Sequence, residues 1–124
     1  MRVGWYFLQG KLVSPTLSTG TEIAAGASAY FTWPGVSGLQ VKQVLVQNDC
    51  GNDVFLRPTN QHSGTAMEQA NLTAQDIRLR DGEDIVLPSC AVLEIFNPIG
   101  GTTLDFVGAG KNFSVAGWAG TGDS

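Results

Sequence analysis

Asp76-Ile77-Arg78-Leu79-Arg80-Asp81-Gly82-Glu83-Asp84-Ile85-Val86-Leu87 is the stretch on which the fold class is decided. Ile77 and Leu79 alternate with Arg78 and Arg80, so an extended backbone gives one apolar and one charged face. Asp81-Gly82 is a turn signal, and Ile85 and Leu87 resume the apolar face beyond it. A two-residue turn would set Leu79 opposite Asp84 and put the faces out of phase. A three-residue loop, Arg80-Asp81-Gly82 with Gly82 in the left-handed region, sets Ile77 opposite Ile85 instead. The expectation is a hairpin with a bulged loop.

The same pattern recurs in both directions. Trp5 to Val13 is aromatic and aliphatic, with a bulge or break expected at Gly10. Ala29-Tyr30-Phe31-Thr32-Trp33 reads as a strand that Pro34-Gly35 ends. Gln40 to Asn48 carries Val41, Val44, Leu45 and Val46, dense enough for a central strand. Val54-Phe55-Leu56 follows an Asx-Gly turn and is expected to pair back as a hairpin. Val92 to Val107 reads as another hairpin around Asn97-Pro98-Ile99-Gly100-Gly101, with Leu104 and Phe106 on one face, and Asn112 to Ala116 as a last strand. Between Thr59 and Gln75 lies the one long excursion, a loop with a helical turn near Ala66 to Ala70.

These signals predict an all-β domain, a jelly-roll or Greek-key β-sandwich of about 8–10 short strands. The 124 residues suffice for a single domain spanning 1–124, with a Gly-rich C-terminal tail from about residue 117 expected to fray. Charged residues make up 15%, against a usual ~25%, and 16 glycines and five prolines favour short elements and tight turns over long helices.

Charge narrows the partners. The net charge is −4, and Arg2, Lys11, Lys42, Arg57, Arg78, Arg80 and Lys111 are scattered, with no basic stripe to follow a phosphate backbone. Direct nucleic-acid binding is therefore not expected. The N-terminal apolar run is too short for a secretory signal, and no stretch reaches the ~20 apolar residues of a membrane span. Without a signal, Cys50 and Cys90 read as buried free thiols rather than a disulfide.

Little points to catalysis. His62, the single histidine, sits in the polar run 60–64 and reads as a solvated loop residue; one imidazole cannot furnish a cupin-type metal site, and no Gly-x-Ser-x-Gly occurs. Glu94 and Asp105 lie within apolar strands and could form a carboxylate pair, but alternation assigns them to the solvent face of their hairpin. The oxygen-rich run Asn48 to Asp53 lacks the spacing of a calcium loop and matches tight-turn chemistry. Asn71-Leu72-Thr73 and Asn112-Phe113-Ser114 match the glycosylation sequon, which means little without secretion. No enzyme, metal or cofactor is expected.

The aromatics are the remaining candidates. Trp5, Tyr6 and Phe7 are adjacent and must point to both faces of a strand; Trp33 and Trp118 stand beside turns or glycines. These five are the candidate interface residues, since Trp and Tyr are enriched where partners dock.

Residues 23–31, 79–87 and the segment from Val92 to Val107 resemble the Gly-turned strand pairs of capsid decoration, or cement, proteins of tailed bacteriophages. The resemblance covers about a third of the chain and contains no diagnostic motif, so no functional residue transfers. It implies a jelly-roll or related sandwich, made in the host cytoplasm and carried in the virion. Its partners would be the major capsid protein or other virion subunits, and it would often be a homotrimer. A sugar-binding sandwich of a fibre or tail is the rival, and predicts a shallow aromatic groove flanked by Asn, Asp or Arg.

Overall fold

The computed structural model describes residues 11–33, 40–88 and 90–120. Among them lie eleven strands: β1 (Lys11–Val13), β2 (Thr16–Leu17), β3 (Glu22–Ile23), β4 (Ser28–Thr32), β5 (Gln40–Asn48), β6 (Val54–Thr59), β7 (Ile77–Leu79), β8 (Asp84–Pro88), β9 (Val92–Phe96), β10 (Leu104–Asp105) and β11 (Phe113–Gly120). One sheet has the order β1-β11-β5-β8, the second β2-β4-β9-β6-β7, and β3 pairs with β10. Every pairing is antiparallel. The strands beyond the expected number are two-residue pieces.

The pairings are nested. β6 pairs with β7, then outward β5 with β8, β4 with β9, β3 with β10 and β1 with β11. The chain therefore runs out, turns at the long loop 60–76, and returns alongside itself, with the whole ribbon wound into two layers. This is jelly-roll winding.

That winding corrects the three expected hairpins. Ile77–Leu79 and Asp84–Pro88 lie in different sheets, so Ile77 does not face Ile85. Gln40–Asn48 and Val54–Thr59 are likewise split between sheets, and Val92–Phe96 pairs with β4 and β6 rather than with β10. The turn residues were placed correctly: Gly82 has φ +80° and Glu83 N donates to Arg80 O at 3.1 Å. A turn signal fixes where the chain reverses but not whether it returns beside itself or crosses to the opposite layer. Two strands facing one core from opposite sheets show the same alternation as a hairpin.

Between the layers, Ile23, Phe31, Val44, Val46, Val54, Leu56, Leu93, Ile95, Leu104 and Phe113 are each at most 3% exposed and form one core cluster. Leu104 and Phe106 share a face as expected, and Phe106 stacks edge-on against Phe31 and Phe113. The tail does not fray at 117. β11 continues to Gly120, held by β1 on one side and β5 on the other. Gly117 lies so close under Trp33 that an added methyl would overlap the indole nitrogen, so glycine is needed there for close packing rather than for freedom.

At the loop end of the sandwich, two fully buried asparagines join the turns. Asn48 Nδ2 donates to Asn52 O and Leu79 O, and its Oδ1 accepts from Cys50 N. Asn97 Nδ2 donates to Ile23 O and Thr102 O. Gly51 N donates to Asp81 Oδ1, and Thr102 N to Asn52 Oδ1. The run Asn48 to Asp53 is thus turn chemistry in service of packing, and each buried polar atom it brings in is partnered.

Candidate functional site

β9 has an unusual pattern, with all five residues buried. Leu93 and Ile95 enter the core; Val92, Glu94 and Phe96 point to the other side of the sheet. The expected outer face for Glu94 is correct, but the face is not open to solvent. Loop 60–76, the excursion between the innermost strands, crosses it as a strap. A short 3-10 helix, Gln69–Asn71, fits the helical turn expected there.

Register places Glu94 between Tyr30 on β4 and Arg57 on β6. His62 descends from the strap onto this row. Its Nδ1 lies 2.5 Å from Glu94 Oε2, with the side chains 28% and 4% exposed. Its ring stacks on Tyr30, centroids 4.2 Å apart. His62 is therefore not the solvated loop residue the sequence implied: its ring is fixed on one face and at one nitrogen. Met67, 2% exposed, lies beneath the strap beside them. The cleft they enclose has a volume of about 100 Å³ and is lined by Ser18, Ser28, Ala29, Tyr30, His62, Ala66, Met67 and Glu94.

A second clamp holds the far end of the strap. Arg57 forms a bidentate pair with Asp76, Nε to Oδ1 at 2.6 Å and Nη2 to Oδ2 at 2.7 Å, and Nη2 also donates to Asn71 O. Hydrogen bonding to Arg57 is the main cause that holds the Asp76 carboxyl below its ordinary value, and the same bond raises Arg57. Arg57's side-chain ion-pair hydrogen bonds thus go to Asp76, and Glu94 across the strand feels only its charge.

The other candidates fall elsewhere. Asp105 is outside this cleft; its Oδ1 accepts from Val107 N, and it braces the turn leading to β11. The facing-carboxylate arrangement considered for Glu94 and Asp105 is therefore not formed. Cys50 and Cys90 are buried and unpaired; burial raises both thiols, Cys90 to about 11. Trp33 packs against the core, with its Nε1 buried and without a partner among the described residues, and Trp118 is half-buried on the outer side of β11. Trp5, Tyr6 and Phe7 lie outside the described residues. Among the described residues, no three His, Cys, Asp or Glu side chains gather as metal ligands, and no helix is long and apolar enough to cross a membrane.

No protein-family model, curated protein or solved structure matches this chain. The geometry therefore carries the functional reading. One signal in the sequence did point to the site: a glutamate inside an otherwise apolar five-residue strand must find a partner or be excluded from the fold. What it could not supply was the partner, 32 residues away in a loop that looked merely polar.

Proposed function

We propose that this chain is a structural subunit of a virus particle, a decoration or cement protein seated on a lattice of major capsid protein. Jelly-roll winding is used by capsid and lectin domains alike, so the fold makes the reading admissible without selecting it. The observation that carries it is the outer face of the β1-β11-β5-β8 sheet. Register sets Val86, Leu45 and Ala116 in one row and Pro88, Gln43 and Trp118 in the next. Leu45, Val86, Ala116 and Trp118 are half-buried yet make no part of the core, and Gln43 Oε1 is buried there without a donor among the described residues. An apolar sheet face with an unmet acceptor suits a protein that works by covering another surface.

The mass of the purified chain in solution tests this. A closed oligomer, trimer favoured, is expected at micromolar concentration, and Leu45→Asp should reduce it to monomers while leaving the fold intact. A wild-type chain that stays monomeric at every concentration, with Leu45→Asp indistinguishable from it, would overturn the reading.

A sugar-binding module of a fibre or tail is the second reading. It is favoured by a shallow depression of about 370 Å³ lined by Asn52, Asp53, Phe55, Gln69, Pro98 and Ile99, with Ile99 79% exposed. It ranks second because its polar groups are already engaged. Asn52 is bonded to Asp53 O and Thr102 N, and Asp53 pairs with Arg78 at 2.8 Å.

A further inference from the structure

Glu94 is a nearly enclosed carboxylate with one hydrogen-bond partner among the described residues, and it lines the cleft under the strap. An ionised carboxylate offers about four acceptor positions, and one buried to this degree normally fills most of them. Here, among the described residues, a single hydrogen bond reaches it, from His62 to Oε2. Arg57, its cross-strand neighbour, is turned to Asp76. Oε1 has no protein donor among the described residues, and Glu94 lines the cleft under the strap.

The surroundings specify the missing donor. Tyr30 and His62 supply aromatic walls, Met67 a thioether and Ala29 and Ala66 methyl groups, while Ser18 and Ser28 add hydroxyls. Ser18 Oγ accepts from Tyr30 N at 3.0 Å, which leaves its own proton free to donate elsewhere. A carboxylate set among aromatic and methyl groups suits a cation on a slender alkyl stem, which gains charge pairing, ring-face attraction and stem packing together. The volume, about 100 Å³, is well below the roughly 300 Å³ at which drug-sized ligand sites begin, and so selects a small head group.

We propose that the His62–Glu94–Tyr30 cleft is a binding site for a primary alkylammonium group, either that of a free amine or the end of a lysine side chain on a partner. Its ammonium donates to Glu94 Oε1, and its methylenes lie against Tyr30 and Met67. The site stands on the cleft alone and would survive failure of the particle reading.

The single histidine makes the test direct, because its ring gives one set of imidazole resonances. The purified chain is titrated with n-butylammonium, with Nα-acetyl-lysine methylamide, and with the uncharged norleucine analogue and methyl glucoside as controls. Saturable millimolar shifts of the His62 and Tyr30 rings are expected with the two amines and not with the controls. Binding of both amines supports a lysine-bearing partner; binding of butylammonium alone supports a free amine. Glu94→Gln should weaken binding at least tenfold. Should that variant fold poorly, His62→Ala, followed through Tyr30, keeps the test open. It removes one aromatic wall but keeps and frees the carboxylate, so binding should persist, weakened less than in Glu94→Gln and still selective for the amines over the norleucine analogue. Absence of saturable shifts with either amine, equal shifts with the norleucine analogue, binding of methyl glucoside in their place, or loss of binding in His62→Ala would each overturn the site.

Discussion

Two irregular parts of this molecule are fastened to its sheets by opposite chemistries. At the loop end, Asn48 and Asn97 join the turns through neutral, wholly buried amides whose partners are backbone groups. Over the outer face of β9, the strap is fastened by ionisable side chains, His62 to Glu94 and Arg57 to Asp76, all of them at its two ends. The two amides have their donors engaged and do not themselves titrate, so they leave little to offer a ligand and keep their bonds as pH changes. An ionisable fastening is tunable, and in Glu94 it leaves Oε1 without a donor among the described residues. The first region therefore reads as structure and the second as the place where chemistry remains available.

The largest expected effect lies at the neutral end. Asn48→Ala strands Cys50 N and Leu79 O in a buried site and leaves Asn52 O only the Cys50 thiol, and should cost about 3 kcal/mol of unfolding free energy in a urea titration. A loss below a few tenths of a kcal/mol would mean that water replaces the amide, and the contrast between the two regions would collapse.

Next is the clamp at Asp76, a side chain only 3% exposed. Asp76→Asn should cost about 2 kcal/mol, since Arg57 is partly exposed and can recover some hydration. It should also change the pH dependence. The folded carboxyl lies below its ordinary 3.8, so its contribution is present in full above that value and is lost as pH falls through the lower, folded one. The wild type should therefore lose stability more steeply than Asp76→Asn below about pH 4. Hydrogen exchange in the same range should show the strap amides near Asn71 and Thr73 losing protection before Cys50 and Gly82, which belong to the neutral network. Simultaneous loss would show that the two regions open as one unit.

The contrast also explains what was legible in the sequence. Strand positions were readable because alternation is local: Ile77 and Leu79, or Leu104 and Phe106, face inward as their spacing requires. The turns were readable because Gly82, and the Asn, Asp and Gly residues of 48–53 and 97–101, are local signals too. Pairing was not, because in a nested winding β4 meets β9 and β1 meets β11 across most of the chain, and no local signal records this. The roles of Asn48 and Asn97 were hidden for a related reason. Asparagine a few residues before glycine is the ordinary composition of any turn, and burial alone distinguishes these two. Likewise, the glycines after 116 suggested a loose tail, yet Gly117 serves close packing against Trp33. Glu94 was half legible: its face was readable, its cover was not.

The smallest effect is the most informative about the strap. His62→Ala removes a half-exposed ring, its stack on Tyr30 and its bond to Glu94, but leaves the Arg57–Asp76 clamp closed. The loss in global stability should be no more than about 1 kcal/mol, because the imidazole is partly solvated and the strap stays fastened at its other end. Locally the change should be larger. Met67 lies beneath the strap, so its oxidation by dilute peroxide should run several-fold faster in His62→Ala, while exchange at Cys50 stays as in the wild type. If the variant instead unfolded as readily as Asn48→Ala, His62 would be a keystone of the fold. Its pairing with Glu94 would then be spent on stability, and the spare oxygen of that carboxylate would lose its claim to be a recognition group.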